Sequence, residues 1–243
     1  MIQVLDRAFK ILEWIAERPG KTFSISEMAS LIEVSPSTCF HIVNSLVSLG
    51  YVQRIGRYKG YKLGPAFNKL AGRKAFRQEL MDAALPHMHE FARESGETIM
   101  IAVLQGPKRY ILCQVEGKHP LQFNQNLLVL EDAYNTATGR LLLSFMPEEE
   151  LDSFIGQAGL PRESQWKNVN DKIHLNAALA GIRGKKYVAD TQNPHIAQIA
   201  FPIYENGKAT AALGSFVPLY RYKGTHKADI IESLSDISKK LST

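Results

Sequence analysis

The sequence predicts an α+β fold in two parts: a small helical domain that ends in a β-hairpin, and a larger antiparallel sheet flanked by helices. Three observations support this. Residues 1–65 hold three short helical patterns and then two strand-like runs around a turn. Gly64-Pro65 ends that pattern, and Ala66–Gln78 is predicted to be a connecting helix. Residues 79–243 then alternate between helical and strand periodicity, which predicts the second domain.

The composition is that of a globular protein. The chain has 243 residues, of which 45% are hydrophobic and 22% are charged. It contains no run of about 18 apolar residues that could span a bilayer, and acidic residues interrupt the first apolar stretch, so we expect a cytoplasmic location. Cys39 and Cys113 provide neither a disulfide framework nor a metal knuckle. We therefore expect no metal and no cofactor.

Charge is unevenly distributed along the chain. Residues 1–78 carry 12 Lys and Arg against 5 Asp and Glu, whereas the other residues carry 17 against 19. A basic first part on a slightly acidic remainder predicts that the first part binds a polyanion. The alternative is a basic surface that is only solvated.

The first domain has clear signals for helix ends. Ser24 and Glu27 have the spacing of a capping box, and Ser35 before Pro36 is typical of an N-cap followed by the first helical residue. Gly50 is expected to end the third helix in a left-handed conformation. Three helices and a hairpin together predict a winged helix-turn-helix. The apolar side chains of the third helix are expected to pack inward: Phe40, Ile42, Val43, Leu46, Val47 and Leu49.

The other face of the third helix lacks the Lys and Glu of an ordinary solvated helix. Short hydroxyl and amide side chains can approach base edges and phosphates in the major groove of double-stranded DNA. A basic turn with an aromatic residue suits phosphates or the minor groove. The alternative is that the hydroxyls at the helix start only cap the helix. The candidate DNA-binding residues are Ser37, Thr38, His41, Asn44, Arg57, Tyr58 and Lys59.

The second domain is predicted to contain an antiparallel sheet with helices around it. An amphipathic helix over 80–92 is expected to be interrupted or kinked near Pro86. Asn206-Gly207 predicts a hairpin turn. Strands are expected at 98–104, 109–115, 121–130, 198–204 and 210–216, and helices at 139–145, 147–154, 175–183 and 230–241.

Six motifs follow one another in order between residues 35 and 216. They are SPSTCFHIVNSLVSLGYVQR and YKLGP in the first domain, then GETIMIAVLQG, AYNTATGRLLLSF, IAFPI and NGKATAALGSF in the second. With these motifs the sequence resembles the IclR family of bacterial transcriptional regulators. The resemblance implies a winged helix-turn-helix, a dimerising linker helix and a GAF-like domain that binds a small effector, often an organic acid. It also implies a homodimer, or a homotetramer built as a dimer of dimers, on a palindromic operator.

The resemblance also implies where the effector binds. Ala137-Thr138-Gly139 matches a small-residue loop whose backbone amides approach the effector at a helix start, which suits a carboxylate. Asp190 matches an acidic pocket residue. The candidate effector-binding residues are Leu121, Asn124, Ala137, Thr138, Gly139, Asp190, Gln198, Gly214 and Phe216.

The sequence departs from the family pattern at this site. Gln198 stands where many members have Cys, Gly214 and Phe216 stand where some have two serines, and His195 replaces a usual Gly in a shortened segment. Because few polar groups remain to orient a small oxoacid, we expect a ligand with an apolar or aromatic body. In the third helix, His41 occupies a position where Arg is frequent, which predicts a different base preference.

Two other classes of function remain open from the sequence. Asp190, His195 and Gln198 could host acid–base chemistry in a small-molecule-processing enzyme, although no nucleophile elbow, phosphate loop or zinc motif accompanies them. The protein could also bind DNA independently of a ligand, or without sequence preference. The sequence favours a DNA-binding regulator that is not an enzyme.

Overall fold

The chain divides into two compact units, Met1–Gln78 and Glu79–Thr243. Each unit has its own hydrophobic core. Among the described residues, no helix is both long and apolar enough to cross a membrane. The computed structural model describes residues 2–56, 59–71, 76–118, 129–130 and 132–243.

The described part of the first unit contains helices and a two-stranded hairpin. Ser24 and Glu27 form the expected capping box: the Ser24 hydroxyl accepts the Glu27 amide at 3.2 Å, and the Glu27 carboxylate accepts the Ser24 amide at 2.7 Å. Ser35 caps the third helix, with Pro36 as its first residue. The elements are α1 (Gln3–Ala16), α2 (Ile25–Leu31), α3 (Pro36–Ser48), β1 (Val52–Arg54), β2 (Tyr61–Leu63) and α4 (Ala66–Ala71).

The inward face of α3 is narrower than the sequence predicts. Phe40 and Leu49 are expected to be buried, but 40% of Phe40 and 66% of Leu49 is exposed, and Val47 is half-buried. Phe40 follows a buried residue by one position, which rotates it by about 100° away from the buried stripe, and Leu49 is the C-cap. The buried residues of α3 are Cys39, Ile42, Val43 and Leu46.

The hairpin is tied to the helices through its second strand. Tyr61 in β2 forms an isolated antiparallel bridge with Phe23, which lies between α1 and α2. Gly60 permits this approach because it has a φ of 90°, and because a Cβ there would lie 2.7 Å from the carbonyl oxygen of Phe23. Gly50 has a φ of 81°, which confirms the left-handed residue that ends α3.

The expected helix over 66–78 is not continuous. The helix α4 ends at Ala71, and Phe76 and Arg77 form a turn in which Arg77 has a φ of 56°. A left-handed residue cannot continue a right-handed helix, so a new helix begins at Gln78. The described part of this segment is therefore a short helix and a turn.

The second unit is built on a six-stranded antiparallel sheet with the strand order β5-β4-β3-β8-β7-β6. The helices α5 and α9 pack on one face, while α6 packs on the other with α7 and α8 against it. The elements are α5 (Gln78–Ser95), β3 (Thr98–Gln105), β4 (Lys108–Val115), β5 (Val129–Leu130), α6 (Ala137–Phe145), α7 (Glu148–Ala158), α8 (Lys172–Lys185), β6 (Val188–Asp190), β7 (Ile196–Glu205), β8 (Lys208–Pro218) and α9 (Gly224–Lys240).

Two details of this unit differ from the sequence prediction. The helix α5 runs without interruption through Pro86. The edge strand β6 is too short to give a periodic signal and was not predicted. Of the strand predicted over 121–130, only Val129 and Leu130 lie within the described residues. The Asn206-Gly207 turn between β7 and β8 is confirmed, with φ values of 52° and 75°.

Candidate DNA-binding face and effector site

The exposed face of α3 carries four of the seven candidate DNA-binding residues. Ser37, Thr38, His41 and Asn44 are all exposed. The capping role belongs to Ser35, whose hydroxyl accepts the Thr38 amide at 3.3 Å and lies 3.1 Å and 2.9 Å from the hydroxyls of Ser37 and Thr38. The face is therefore polar, uncharged and exposed, which allows its short side chains to approach base edges in the major groove.

Lys59 and Phe40 are two further exposed side chains of the first unit. Lys59 is exposed between β1 and β2, whereas Arg57 and Tyr58 lie outside the described residues. Phe40 was not predicted to be on the surface, and its ring meets the His41 ring edge-on with centroids 6.1 Å apart. An exposed aromatic side chain on such a face can contact a thymine methyl group.

The start of α6 is partly occupied by the chain's own side chains. The Thr136 hydroxyl accepts the Gly139 amide at 3.1 Å, and the Gln198 side-chain carbonyl accepts the Ala137 amide at 3.0 Å. The family resemblance implies that the amides of Ala137, Thr138 and Gly139 face an effector, but two of the three are already bonded within the protein. For the remaining amide, that of Thr138, the described residues provide no acceptor.

A small cavity lies between this helix start and the sheet. It has a volume of only about 10 Å³, roughly the room for one water molecule, and five of the nine candidate effector residues line it. Its lining is largely apolar, and the Ser215 hydroxyl is already used to donate to the Thr98 carbonyl at 2.8 Å. The lining residues are Met100, Ala137, Thr138, Gln198, Ile199, Gly214, Ser215 and Phe216.

Asp190 forms a buried ion pair instead of lining that cavity. Its carboxylate accepts a bond from Arg140 Nη1 at 2.6 Å, and the two side chains are only 12% and 6% exposed. Arg140 also donates to the carbonyls of Tyr134 and Gln165 and lies over the Trp166 ring. Burial lowers the pKa of Arg140, while Asp190 opposes that shift. The pair joins α6 to β6.

Arg109 on β4 is a second buried arginine. It is 0% exposed, and its Nη1 approaches the Thr138 hydroxyl at 3.4 Å and the Met100 sulfur at 3.9 Å. Its Nε and Nη2 atoms are buried without a hydrogen-bond partner. Burial lowers the pKa of Arg109 to about 10. Among the described residues, no carboxylate forms an ion pair with it.

Two family models match the chain, one for each unit. The IclR helix-turn-helix domain matches residues 4–56, and the bacterial transcriptional regulator IclR C-terminal domain matches residues 73–243. The chain belongs to the IclR family. IclR-family proteins are transcriptional regulators that combine a helix-turn-helix DNA-binding domain with a carboxy-terminal ligand-binding domain, and this protein has both. They are not enzymes.

Curated IclR-family relatives are distant in sequence. The HTH-type transcriptional regulator TtgV of Pseudomonas putida is 28% identical over 156 residues, which are 64% of this chain and 59% of that protein. The HTH-type transcriptional repressor AllR of Salmonella typhimurium is 26% identical over 99% of this chain and 89% of that protein. The chain thus spans less than two thirds of TtgV but most of AllR.

Solved IclR-family structures have the same fold. The Thermotoga maritima IclR structure has a TM-score of 0.74 and 24% identity, and the match covers 99% of this chain and 98% of that one. An IclR homolog from Microbacterium hydrocarbonoxydans, complexed with 4-hydroxybenzoate, has a TM-score of 0.80 and 23% identity, with 98% and 97% coverage. At this level of identity the likeness establishes the fold.

In this IclR-family protein, Asp190 and Gln198 are partners across β6 and β7, but the residues considered for an enzyme are not arranged for acid–base chemistry. Asp190 is paired with Arg140, Gln198 is bonded to the start of α6, and His195 is exposed. Within the described ranges, no group of three or more His, Cys, Asp or Glu side chains could hold a metal ion. The arrangement offers binding and positioning rather than acid–base chemistry.

Sequence reasoning missed Arg109 and Arg140. Arg140 follows the predicted small-residue loop directly, so its inward position could have been suspected from the helical period. Arg109 follows Lys108 at a hairpin end, where basic residues are usually exposed. No local signal identifies it, because its burial depends on α6, which lies about 30 residues further along the chain.

Gly214 in β8 allows α6 to approach the sheet closely. A Cβ at this position would lie 2.5 Å from the Thr138 methyl carbon. We expect Gly214→Ser to destabilise the second unit by about 1–3 kcal/mol, because overpacking forces the neighbouring groups apart. Urea unfolding of the full chain measures this loss.

A double variant tests the cause of that loss. Thr138→Ser removes the methyl group that serine at 214 would meet, so the combination Gly214→Ser/Thr138→Ser should recover most of the stability. Gly181→Ser on α8 is the matched control, because a Cβ there meets nothing within 4 Å. Equal losses in the single and double variants would contradict the proposed contact.

Proposed function

We propose that this regulator binds a specific palindromic operator as a homodimer or a dimer of dimers. We further propose that a small carboxylate with an apolar or aromatic body binds the second unit and changes operator affinity. The observation that carries the first proposal is the exposed, uncharged polar face of α3 in a unit rich in Lys and Arg. Chromosomal DNA as the target implies a cytoplasmic location.

For DNA recognition, we assign base contacts to the exposed side chains of α3. Ser37, Thr38 and His41 lie in its first two turns, and Asn44 lies one turn from His41 on the same face. Asn and His can donate and accept in the major groove, and the helix start favours phosphate. We assign phosphate contacts to Lys59, and to Arg57 and Tyr58 on the basis of residue type alone.

For the effector, the chemistry of the cavity supports a ligand that is mostly apolar. Met100, Ile199 and Phe216 provide apolar surface, while Gln198 and Thr138 provide the polar groups. The 4-hydroxybenzoate bound by the Microbacterium homolog is an aromatic carboxylate, which supports the same ligand class here. Leu121 and Asn124 remain candidates that lie outside the described residues.

Coupling between the two sites has to pass from one unit to the other, because α3 and the cavity lie in different units. We propose that effector binding beside α6 changes how two copies of the second unit pack. That change would alter the spacing between the two DNA-binding domains of a dimer, and therefore their fit to the two half-sites.

Fluorescence anisotropy on a labelled fragment of the protein's own promoter region tests operator recognition. We expect saturable binding that survives an excess of random DNA at two salt concentrations. If random DNA competes as well as promoter DNA, the first unit binds phosphates without sequence preference, and sequence-specific binding is refuted.

A further inference from the structure

Among the described residues, the buried Arg109 guanidinium has no counter-charge. Arg109 does not itself line the cavity, but it contacts two residues that do, Met100 and Thr138. It is 0% exposed, and the two hydrogen bonds that it forms go to a neutral hydroxyl and a thioether, at the long distances of 3.4 Å and 3.9 Å. Nε and Nη2 are buried and make no hydrogen bond to the described residues. By comparison, the buried Arg140 has a carboxylate and two carbonyls within 2.9 Å.

A buried guanidinium without a counter-charge destabilises the folded protein unless an anion binds to it. A guanidinium removed from water loses hydration that only an anion and further acceptors can replace. The pKa of Arg109, lowered to about 10 by burial, still leaves the side chain charged at neutral pH. Within the part of the second unit that the structure describes, this positive charge is therefore uncompensated.

The Arg109 guanidinium lies next to the start of α6. Arg109 Nη1 approaches Thr138, the second residue of α6, and Thr138 also lines the cavity. The Thr138 amide is the one amide of the small-residue loop for which the described residues offer no acceptor. The guanidinium contacts the hydroxyl of the same residue whose amide is free within the described part of the chain, and both a guanidinium and a helix-start amide favour an anion.

We propose that Arg109 supplies the counter-charge for the effector, whose carboxylate pairs with the Arg109 guanidinium and accepts the Thr138 amide. This inference deepens the proposed function and rests on it. Gly214 and Phe216 provide no hydroxyl to orient a ligand. With Arg109 as counter-charge, one ion pair orients the ligand, and the rest of the ligand needs only apolar contacts. Arg109 is thus a specificity-determining residue that selects acids over their neutral amides.

Calorimetry on the full chain compares acids with their uncharged counterparts. The ligands are 4-hydroxybenzoate, benzoate and pyruvate, each paired with its primary amide.

Three variants are compared with the wild type. Arg109→Met keeps the bulk of the side chain without its charge, and Arg109→Lys keeps the charge without the planar guanidinium. Arg93→Met, which changes an exposed arginine on α5, is the control. We expect the wild type and Arg93→Met to bind at least one acid and to discriminate against its amide. Arg109→Met should bind that acid about tenfold or more weakly, with Arg109→Lys in between.

Thermal unfolding without ligand is a second readout that does not require the right ligand. We expect Arg109→Met to raise the unfolding temperature by about 2–4 °C, because an apolar side chain replaces an uncompensated charge. A lower unfolding temperature for Arg109→Met would show that Arg109 has a structural role and would overturn the inference.

The outcomes separate this inference from the proposed function. Acid binding that Arg109→Met leaves unchanged, or amides that bind the wild type as well as the acids do, would overturn the role of Arg109 and leave a small-molecule regulator. If the wild type binds none of the six compounds, the proposed ligand class fails. In that case the role of Arg109 as the counter-charge for such a ligand fails as well.

Discussion

Asp190→Ala is expected to destabilise the second unit by about 3 kcal/mol, because it leaves the Arg140 guanidinium buried without its carboxylate. The two remaining bonds of Arg140, to the carbonyls of Tyr134 and Gln165, do not neutralise its charge. Urea unfolding followed by circular dichroism measures the loss. The transition of the first unit should be unchanged, because that unit has a separate core.

Two further variants show whether the buried pair causes that loss. Asp152→Ala removes an exposed ion pair with Lys172, and we expect a loss below about 1 kcal/mol. Arg140→Met/Asp190→Leu replaces both buried charges with apolar side chains and should recover much of the stability lost in Asp190→Ala. A fully stable Asp190→Ala that no longer binds any carboxylate would instead make Asp190 an effector contact, as the family resemblance implies.

Asn44→Asp is expected to weaken operator binding by about tenfold to a hundredfold. The change replaces one amide group with a carboxylate of the same shape on the exposed face of α3, where it would meet the phosphates and acceptor-rich base edges of DNA. Folding should be unaffected because the side chain is exposed. Anisotropy titration of a promoter fragment gives the affinity, and circular dichroism confirms the fold.

Gln157→Glu provides the matched control for that experiment. It makes the same amide-to-acid change at an exposed position of α7, so it alters the net charge of the protein equally. We expect its operator affinity to stay within about twofold of the wild type, since one distant surface charge is largely screened at physiological salt. Equal losses in both variants would mean that net charge, and not the α3 face, governs binding.

The elements that the sequence predicted well are those set by neighbouring residues. The Ser24–Glu27 capping box, the Ser35-Pro36 start of α3 and the Asn206-Gly207 turn all depend on backbone groups within a few positions. A side chain that satisfies a nearby amide does so largely independently of the rest of the fold. For the same reason, the polar face of α3 was predictable from one helical period.

The effector site was predictable only in part, because its key contacts join distant positions. Arg140 and Asp190 are 50 residues apart, and Gln198 reaches Ala137 across 61 residues. Only the packing of α6 on the sheet brings such residues together. Resemblance to the family located the start of α6, but the self-satisfied amides and the uncompensated Arg109 required the three-dimensional structure.

The most direct test of the account is the operator affinity of the full-length protein with and without a bound carboxylate, measured by anisotropy at constant salt. Saturating 4-hydroxybenzoate, or whichever acid the calorimetry selects, should change the dissociation constant by about 5- to 150-fold, the usual range of coupling between two sites. An acid that binds the second unit but leaves operator affinity unchanged would contradict a ligand-responsive regulator.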